Sequence, residues 1–539
     1  MATAVADSSY GWSGSRWTSR VLDLFRRRPE LLTAIVCGVV VALGQRGPDL
    51  PAQAYRVSLI RHHGLVIFDS HWYGGHSLPG YSMLFPLLAA LLGSRLVGAL
   101  SCIAATAAFT RLLRGRGATG HDVAVMWFAV VSAVDLVVGR LPFALGLAFG
   151  IAALAAAHER RSSRVFALSL LCGASSPLAA AFLLLVAAAW LPTAGWRRIW
   201  PFAASGFGIV VAAVFGEGGS FPFPWTTLVL VLVFVVLGLM FVPADSVVVR
   251  RALWLYAAAS VLAFFIPNPV GGNMIRLGAV VAGPLAAYEL LRRGRVVLLA
   301  VLAVPLLAWQ LAPVPAAFAT SRGASARASY YTGLLGYLTS QSGPQGRVEV
   351  PLTQGRWETD YLAATVPLAR GWERQLDIAH NEVLYDVDLS ASAYHDWLLA
   401  NGVRWVALPD APLDASETGE AALLQRKHPP SYLQLVWQDP HWKLWQVRDA
   451  RPLATGPVRL VSFGVARIDL QMLRPGAAVL LVRWTRFWRV VSGSACVSPT
   501  PDGWTQVTAQ HAGPVTLSAQ VGLLSLAGSG NGGSCSQAP

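Results

Sequence analysis

Apolar residues dominate the first 312 positions, in segments closed by Arg, Gly or Pro. The pattern predicts spans near 30–45, 94–113, 121–138, 141–157, 165–175, 177–192, 198–215, 225–243, 249–266, 274–291 and 296–312. A helix needs ~20 apolar residues to cross a ~30 Å hydrocarbon core, so the shorter segments have loose boundaries. Segments 165–175 and 177–192, broken at Gly173-Ala174-Ser175-Ser176-Pro177, read as two short spans or as a re-entrant pair. Residues 82–93 are apolar but too short to span and suit an interfacial helix.

From about residue 326 the pattern becomes that of an ordinary folded domain. Arg347–Leu352 and Val403–Pro409 read as buried strands, and Tyr432–Trp437 with Trp442–Val447 as a hairpin turned at Gln438-Asp439-Pro440-His441. Ser392–Asn401 and Ser416–Lys427 read as helices between them. After residue 450, alternating segments at 458–463, 478–484, 503–508 and 514–520 are separated by Pro/Gly turns, as in a β-sandwich. The predicted architecture is a polytopic α-helical membrane protein of about eleven spans, with an extracytoplasmic α/β subdomain and a C-terminal β-sandwich. Its divisions are 1–29 (cytoplasmic segment), 30–312 (membrane domain with a first external loop at 46–93), 313–450 and 451–539.

Charge fixes the expected orientation. Positively charged loops favour the cytoplasmic side. Alternate loops hold Arg16, Arg20 and Arg26–Arg28, then Arg111, Arg114, Arg116, then Arg160, Arg161, Arg164, then Arg197, Arg198, Arg250, Arg251, Arg292, Arg293 and Arg295. The opposite loops hold only Arg46, Arg56, Arg61, Arg140 and Arg276. The N-terminus is therefore expected on the cytoplasmic side, with the tail outside; arginine in place of nearly all lysine, with abundant Ala, Gly and Pro, suggests a high-GC bacterial genome and so a bacterial plasma membrane. The polar start and an apolar run (Leu31–Gly44) without a small-residue cleavage motif predict a retained anchor. The chain is 54% hydrophobic and 13% charged, with a net charge of +14. No basic-aromatic groove accompanies that charge, so nucleic acid is not an expected partner. Lysine occurs only at Lys427 and Lys443, a coding bias without chemical content.

Candidate chemistry concentrates in the first external loop, which runs from Arg46 through Asp49, Arg56, His62, His63, Asp69, His71, Trp72 and Tyr73 to His76 and Tyr81. Ionisable groups at a membrane boundary are functional candidates by default. Walker-type loops, Gly-x-Ser-x-Gly elbows and His-Glu-x-x-His motifs are absent from the sequence. An acidic residue after the first span, Gln53, Tyr55-Arg56, Trp72-Tyr73-Gly74-Gly75 and Pro79-Gly80-Tyr81-Ser82-Met83-Leu84-Phe85-Pro86 together resemble the GT-C superfamily of membrane glycosyltransferases. The likeness is to the bacterial branch with a 6-pyruvoyl-tetrahydropterin-synthase-related membrane domain. Gly371-Trp372-Glu373-Arg374-Gln375 and Val403–Asp410 are similar to external segments of actinobacterial members.

The resemblance implies sugar transfer from a polyprenyl phosphate to an envelope glycan or glycolipid, with Asp49 as general base. A carboxylate suits that task because it can accept a proton from a sugar hydroxyl as the new bond forms. The departing lipid phosphate needs cations, for which Arg276, Arg56 and Arg140 are candidates. Asp69, His62, His63, Trp72 and Tyr73 are candidate acceptor contacts. Each has a plainer reading: Asp49 as a helix cap, Asp69 in a turn, Asp135 with Arg140 as a structural ion pair, Arg276 as an interfacial anchor. Glu217, isolated in a Gly/Pro loop, is assigned no role. Trp484, Phe487, Trp488 and Trp504 form a carbohydrate-stacking face or, the favoured reading, pack in the core. Cys496 and Cys535 form a bridge or stay free thiols. No cofactor or metal site is expected; a divalent cation stays open, since Asp386 and Asp388 are too sparse a cluster and His71 with His76 too weak. A lipid or sugar transporter and a non-catalytic envelope scaffold are the alternative functions.

Overall fold

A computed structural model describes residues 23–114, 120–341 and 346–520. Among these residues, eight helices are long and apolar enough to cross a membrane. They are 94–113, 121–138, 141–158, 177–194, 196–215, 247–265, 271–291 and 296–322. Pro29–Ala42 and Trp225–Phe241 are shorter apolar helices. Outward faces carry large apolar side chains, among them Leu230, Met240, Trp254, Phe265, Val297 and Val304. So much exposed apolar surface is unusual for a protein surrounded by water, and the arrangement is that of a polytopic membrane protein.

Between these helices, small and hydroxylic residues set the contacts. A Cβ on Gly208 would fall 2.0 Å from Gly173 O, so the two backbones touch where helices Ser162–Ser175 and Gly206–Phe215 cross. Thr33 and Thr106 share a hydroxyl hydrogen bond at 2.8 Å, and Trp127 Nε1 donates to Gln310 Oε1 at 2.7 Å. Segment 165–192 forms two helices, Ser162–Ser175 and Pro177–Ala194, parted at the extended Ser176, whose hydroxyl accepts from Ala179 N. This pair lies along Leu141–His158: Gly146 meets Ala179 and Ser176, and His158 stacks on Trp190 at 4.7 Å. The final apolar helix continues through Pro313–Arg322, ten residues beyond the expected boundary at 312. Residues 84–92 form the short helix expected between the first loop and the second span, with Leu91 82% exposed.

In the tail, β3 (Arg347–Glu349) lies parallel to β4 (Val403–Pro409), which pairs antiparallel with β6 (Trp442–Val447) and through it β5 (Leu433–Gln438). Helices Arg374–His380, Ala391–Ala400 and Thr418–Leu424 complete this α/β unit. Beyond it stand two four-stranded sheets. β7 (Ala454–Thr455), β10 (Gly476–Arg483), β12 (Ala495–Pro499) and β13 (Trp504–Ala509) build one, in the order β12-β13-β10-β7. β8 (Val458–Phe463), β9 (Arg467–Met472), β11 (Trp488–Ser492) and β14 (Gly513–Ala519) build the other, in the order β11-β14-β9-β8. Ile468, Leu470, Leu480, Val482, Val507 and Leu517 fill the space between them. Cys496 is disulfide-bonded, whereas Cys535 lies outside the described residues.

The first loop is sewn into this tail. β1 (Phe68–Asp69) and β2 (His76–Ser77) form a small antiparallel ladder. Ser70 N donates to Val465 O at 2.9 Å, Arg483 N to Gly74 O at 2.8 Å, and Leu368 N to His71 O at 2.8 Å. These bonds bring the loop, the α/β unit and the sandwich to one end of the helix bundle.

Within the α/β unit, Arg370 is buried among Glu349, Asp377, Glu417 and Glu420. One cation faces four carboxylates, and burial pushes Glu420 up to about 8 and Glu349 well above the carboxylate range. A group whose pKa rises on folding from 4.5 to about 8 stabilises the fold fully below pH 4.5 and loses that contribution as pH rises through about 8. The thermal midpoint of the purified protein in detergent should therefore fall between about pH 4.5 and about pH 8, and less so in Glu420→Gln. Arg370→Met strands the carboxylates and should cost roughly 3–5 kcal/mol in a denaturant titration.

Candidate functional site: an arginine-lined cavity under the tail

Two loops far apart in sequence meet backbone to backbone to place the first-loop carboxylate. A Cβ on Gly47 would sit 2.3 Å from Val138 O, and one on Gly139 (φ +96°) 2.5 Å from Leu50 N. Neither position admits a side chain without displacement. Across this contact Asp49 N donates to Val138 O at 3.0 Å. Asp49 stands at the start of helix Leu50–His63, yet its side chain makes no capping hydrogen bond. Instead Oδ2 lies 3.5 Å from Arg140 Nε and 3.6 Å from Arg276 Nη2. The expected Asp135–Arg140 ion pair is replaced by this one. Arg140 meets Asp135 only through its backbone, N to O at 2.8 Å, and Asp135 Oδ2 has no hydrogen-bond partner among the described residues.

Both arginines line a cavity of about 440 Å³ between the apolar helices and the tail. Tyr81, Glu217, Asn273, Trp372, Glu373 and Gln375 add polar or aromatic walls. Trp372 Nε1 donates to Pro48 O at 3.0 Å, tying the tail to the residue before Asp49. A second, open and apolar groove of about 430 Å³ lies between helices Pro177–Ala194 and Val247–Phe265, lined by residues such as Leu185, Leu255 and Ala259. It shares Leu178 and Val270 with the polar cavity, so the two are continuous in wall.

The other sequence candidates lie elsewhere. Arg56 is 3% exposed and paired with Glu373, with its guanidinium 4.1 Å from the Tyr81 ring centre. Its charge is thus already matched, and it is not among the cavity-lining residues. His62 and His63 stand on the surface at the end of helix Leu50–His63, with His62 Nδ1 2.9 Å from Ser58 O. Trp72 and Tyr73 are buried packing groups: Trp72 Nε1 donates to Thr359 O and Tyr73 Oη to Glu373 O. None of these four lines the cavity, because the tail covers the aromatic pair and the helix points the histidines away.

Asp69 is fully buried, accepts from Tyr55 Oη at 3.1 Å and His71 N at 2.8 Å, and faces His76 Nδ1 at 3.5 Å. Burial raises Asp69 to about 7 and holds His71 down to about 4. His71 is therefore neutral, with Nδ1 2.7 Å from Ala363 O. This cluster joins loop to tail. Phe487 and Trp488 are buried, Trp488 against Phe68 at 5.3 Å, and Trp504 lies under Arg483 at 5.1 Å, an arrangement of packing. Asp386 Oδ1 accepts from Asp388 N in a turn, and no group of three potential metal ligands occurs among the described residues.

Sequence reasoning missed Glu217, Glu373, Trp372 and Asn273 as cavity walls. Glu217 did carry a signal: it is the one carboxylate in the polar loop between two apolar segments.

Asp49 is the only anion paired with Arg140 and Arg276 among the described residues. Asp49→Ala leaves two guanidinium groups facing one another, and we expect a loss of roughly 1–3 kcal/mol, partly restored by inorganic phosphate in a thermal-shift titration. No family model matches this chain, and neither does any curated protein.

Proposed function

We propose that the chain is a multi-pass membrane glycosyltransferase of GT-C type that uses a polyprenyl-phosphate-linked sugar. The observation that carries this reading is the pairing of an open apolar groove with an arginine-lined polar cavity sharing Leu178 and Val270. A polyprenyl chain is a branched hydrocarbon ending in an anion. It needs an apolar path open to lipid that leads to fixed cations. Those are the properties of this groove and of Arg140 and Arg276.

Asp49 holds the two arginines in register, and the trio carries a net positive charge. Arginine binds phosphate with a planar, charge-assisted fork. When the sugar leaves the donor, negative charge grows on the phosphate oxygens beside both guanidinium groups, which favours the transition state over the ground state. The tail contributes Trp372, Glu373 and Gln375 to the walls of the polar cavity, which limits the access of bulk water to the reacting centre. In the orientation expected from the arginine distribution, this end of the bundle faces the outside of a bacterial plasma membrane, and eleven apolar segments cross it. The acceptor would then be an envelope glycan or glycolipid.

Binding of undecaprenyl phosphate by the nanodisc-reconstituted protein tests the reading without knowledge of the sugar. Each charge-assisted hydrogen bond contributes about 1.5–3 kcal/mol, so Arg140→Gln and Arg276→Gln should each weaken binding at least ~10-fold. Ala259→Trp, which fills the apolar groove, should weaken it as well. Equal affinity in wild type and the double arginine variant would rule the donor site out.

A further inference from the structure

Glu217 stands between two cavities. On one side is the arginine-lined chamber; on the other is a smaller cavity of about 300 Å³, bounded by Ser77, His380, Arg483, Trp484, Thr485 and Arg486. Glu217 lines both. Its Oε1 accepts from Ser77 N at 2.6 Å, while its buried Oε2 has no hydrogen-bond partner among the described residues. The loop that carries it is tied to neighbouring segments at two points. Phe221 N donates to Asn268 O at 3.0 Å, and Gly219 (φ +81°) packs so closely that a Cβ would lie 2.3 Å from Gln375 O. One oxygen is thus fixed by a backbone donor and the other is unsatisfied. Leaving a buried carboxylate oxygen unpaired is costly unless a ligand completes it.

The smaller cavity has a different character from the lipid-facing groove. Its walls combine an indole, two hydroxyls, an imidazole and two guanidinium groups. Arg483 is anchored by Nε to Tyr73 O at 2.8 Å, and Arg486 by Nη2 to Val214 O at 2.9 Å, which orients both. His380 Nε2 has no partner among the described residues, and burial holds this histidine down to about 4, so it is neutral. Fixed polar groups beside an aromatic face suit a polyhydroxylated ring, whose apolar face stacks while its hydroxyls bond.

Resting on the transferase reading above, we propose that Glu217, in place of the ion-paired Asp49 that the sequence suggested, is the general base of the reaction and that this second cavity holds the end of the acceptor glycan. The acceptor hydroxyl oxygen forms a bond to the anomeric carbon of the donor sugar. The bond from that carbon to the phosphate oxygen breaks, and its electron pair leaves with the lipid phosphate toward Arg140 and Arg276. The hydroxyl proton passes to the Glu217 carboxylate and then to water. Burial raises Glu217 to about 7; the Ser77 hydrogen bonds and Arg483 oppose the rise, and Glu373 adds to it. With neutral His380 and cationic Arg486 also lining its cavity, Glu217 is matched to proton transfer near neutral pH. It is ionised and active as a base above about pH 7.

The test uses the full chain in nanodiscs, undecaprenyl-phosphate-linked hexose and pentose donors, and mannan, galactan and arabinan hexasaccharides as acceptor probes. Glu217→Gln should bind undecaprenyl phosphate within about twofold of wild type and lower kcat at least ~100-fold. It should also abolish the rise of kcat through about pH 7, and Glu217→Asp should recover part of the rate. Thr485→Trp, which fills the second cavity, should raise the acceptor KM at least ~10-fold and remove the saturation-transfer NMR signal of the bound hexasaccharide. Wild-type kcat and pH profile in Glu217→Gln would overturn the base assignment. A hexasaccharide signal unchanged by Thr485→Trp, or absent from wild type, would overturn the acceptor site. Failure of wild type to bind undecaprenyl phosphate strikes the transferase reading instead, while a hexasaccharide signal lost in Thr485→Trp would still support a glycan cavity.

Discussion

A polar loop buried inside a protein must find partners for its backbone and side chains, and that requirement organises this chain. Between Phe68 and His76 nearly every residue is enclosed. Unpaired buried amides and carbonyls are expensive, so such a loop persists only where another segment completes it. The tail does so. Val465, Leu368 and Arg483 bond to the loop's backbone, and Thr359, Ala363 and Glu373 accept from its side chains. Loop and tail therefore stand or fall together, which explains why residues more than 300 positions apart form one wall.

That wall has consequences for electrostatics. Arg56 is neutralised by Glu373, and Arg370 by an excess of carboxylates, so neither offers charge to a ligand. Arg140 and Arg276 share a single carboxylate, so their wall of the chamber keeps an excess of positive charge. Charge in a partly enclosed space is screened less than charge on an open surface. An anion held at one end by an apolar chain would meet both cations at once. Glu217, unlike the Arg56-paired Glu373, adds an unpaired acidic group to the same chamber.

Much of the architecture was legible from local patterns. Apolar segment length marked the helices, down to the break at Ser176-Pro177, and alternation with turn residues marked β4, β5, β6, β8, β10, β13 and β14. β9, β11 and β12 escaped notice: Arg467–Met472 carries polar residues between its core positions, and the other two are only five residues long. The last apolar helix ran past its expected end because Pro313 falls at a first helical position, where proline is tolerated and does not terminate the helix.

The candidate site was legible only in part. Sequence alone determined where cationic and acidic residues fall relative to apolar segments, and so placed Asp49, Arg140 and Arg276 in loops on one side, because hydropathy and charge are local properties. Which polar residues face a common space was decided by tertiary structure. Gly47 and Gly139 bring two backbones into contact and turn Asp49 from a capping position toward the arginines. The tail covers Trp72 and Tyr73 and leaves Glu217 lining two cavities. Such proximity depends on how distant segments pack, and no periodicity within a single segment encodes it.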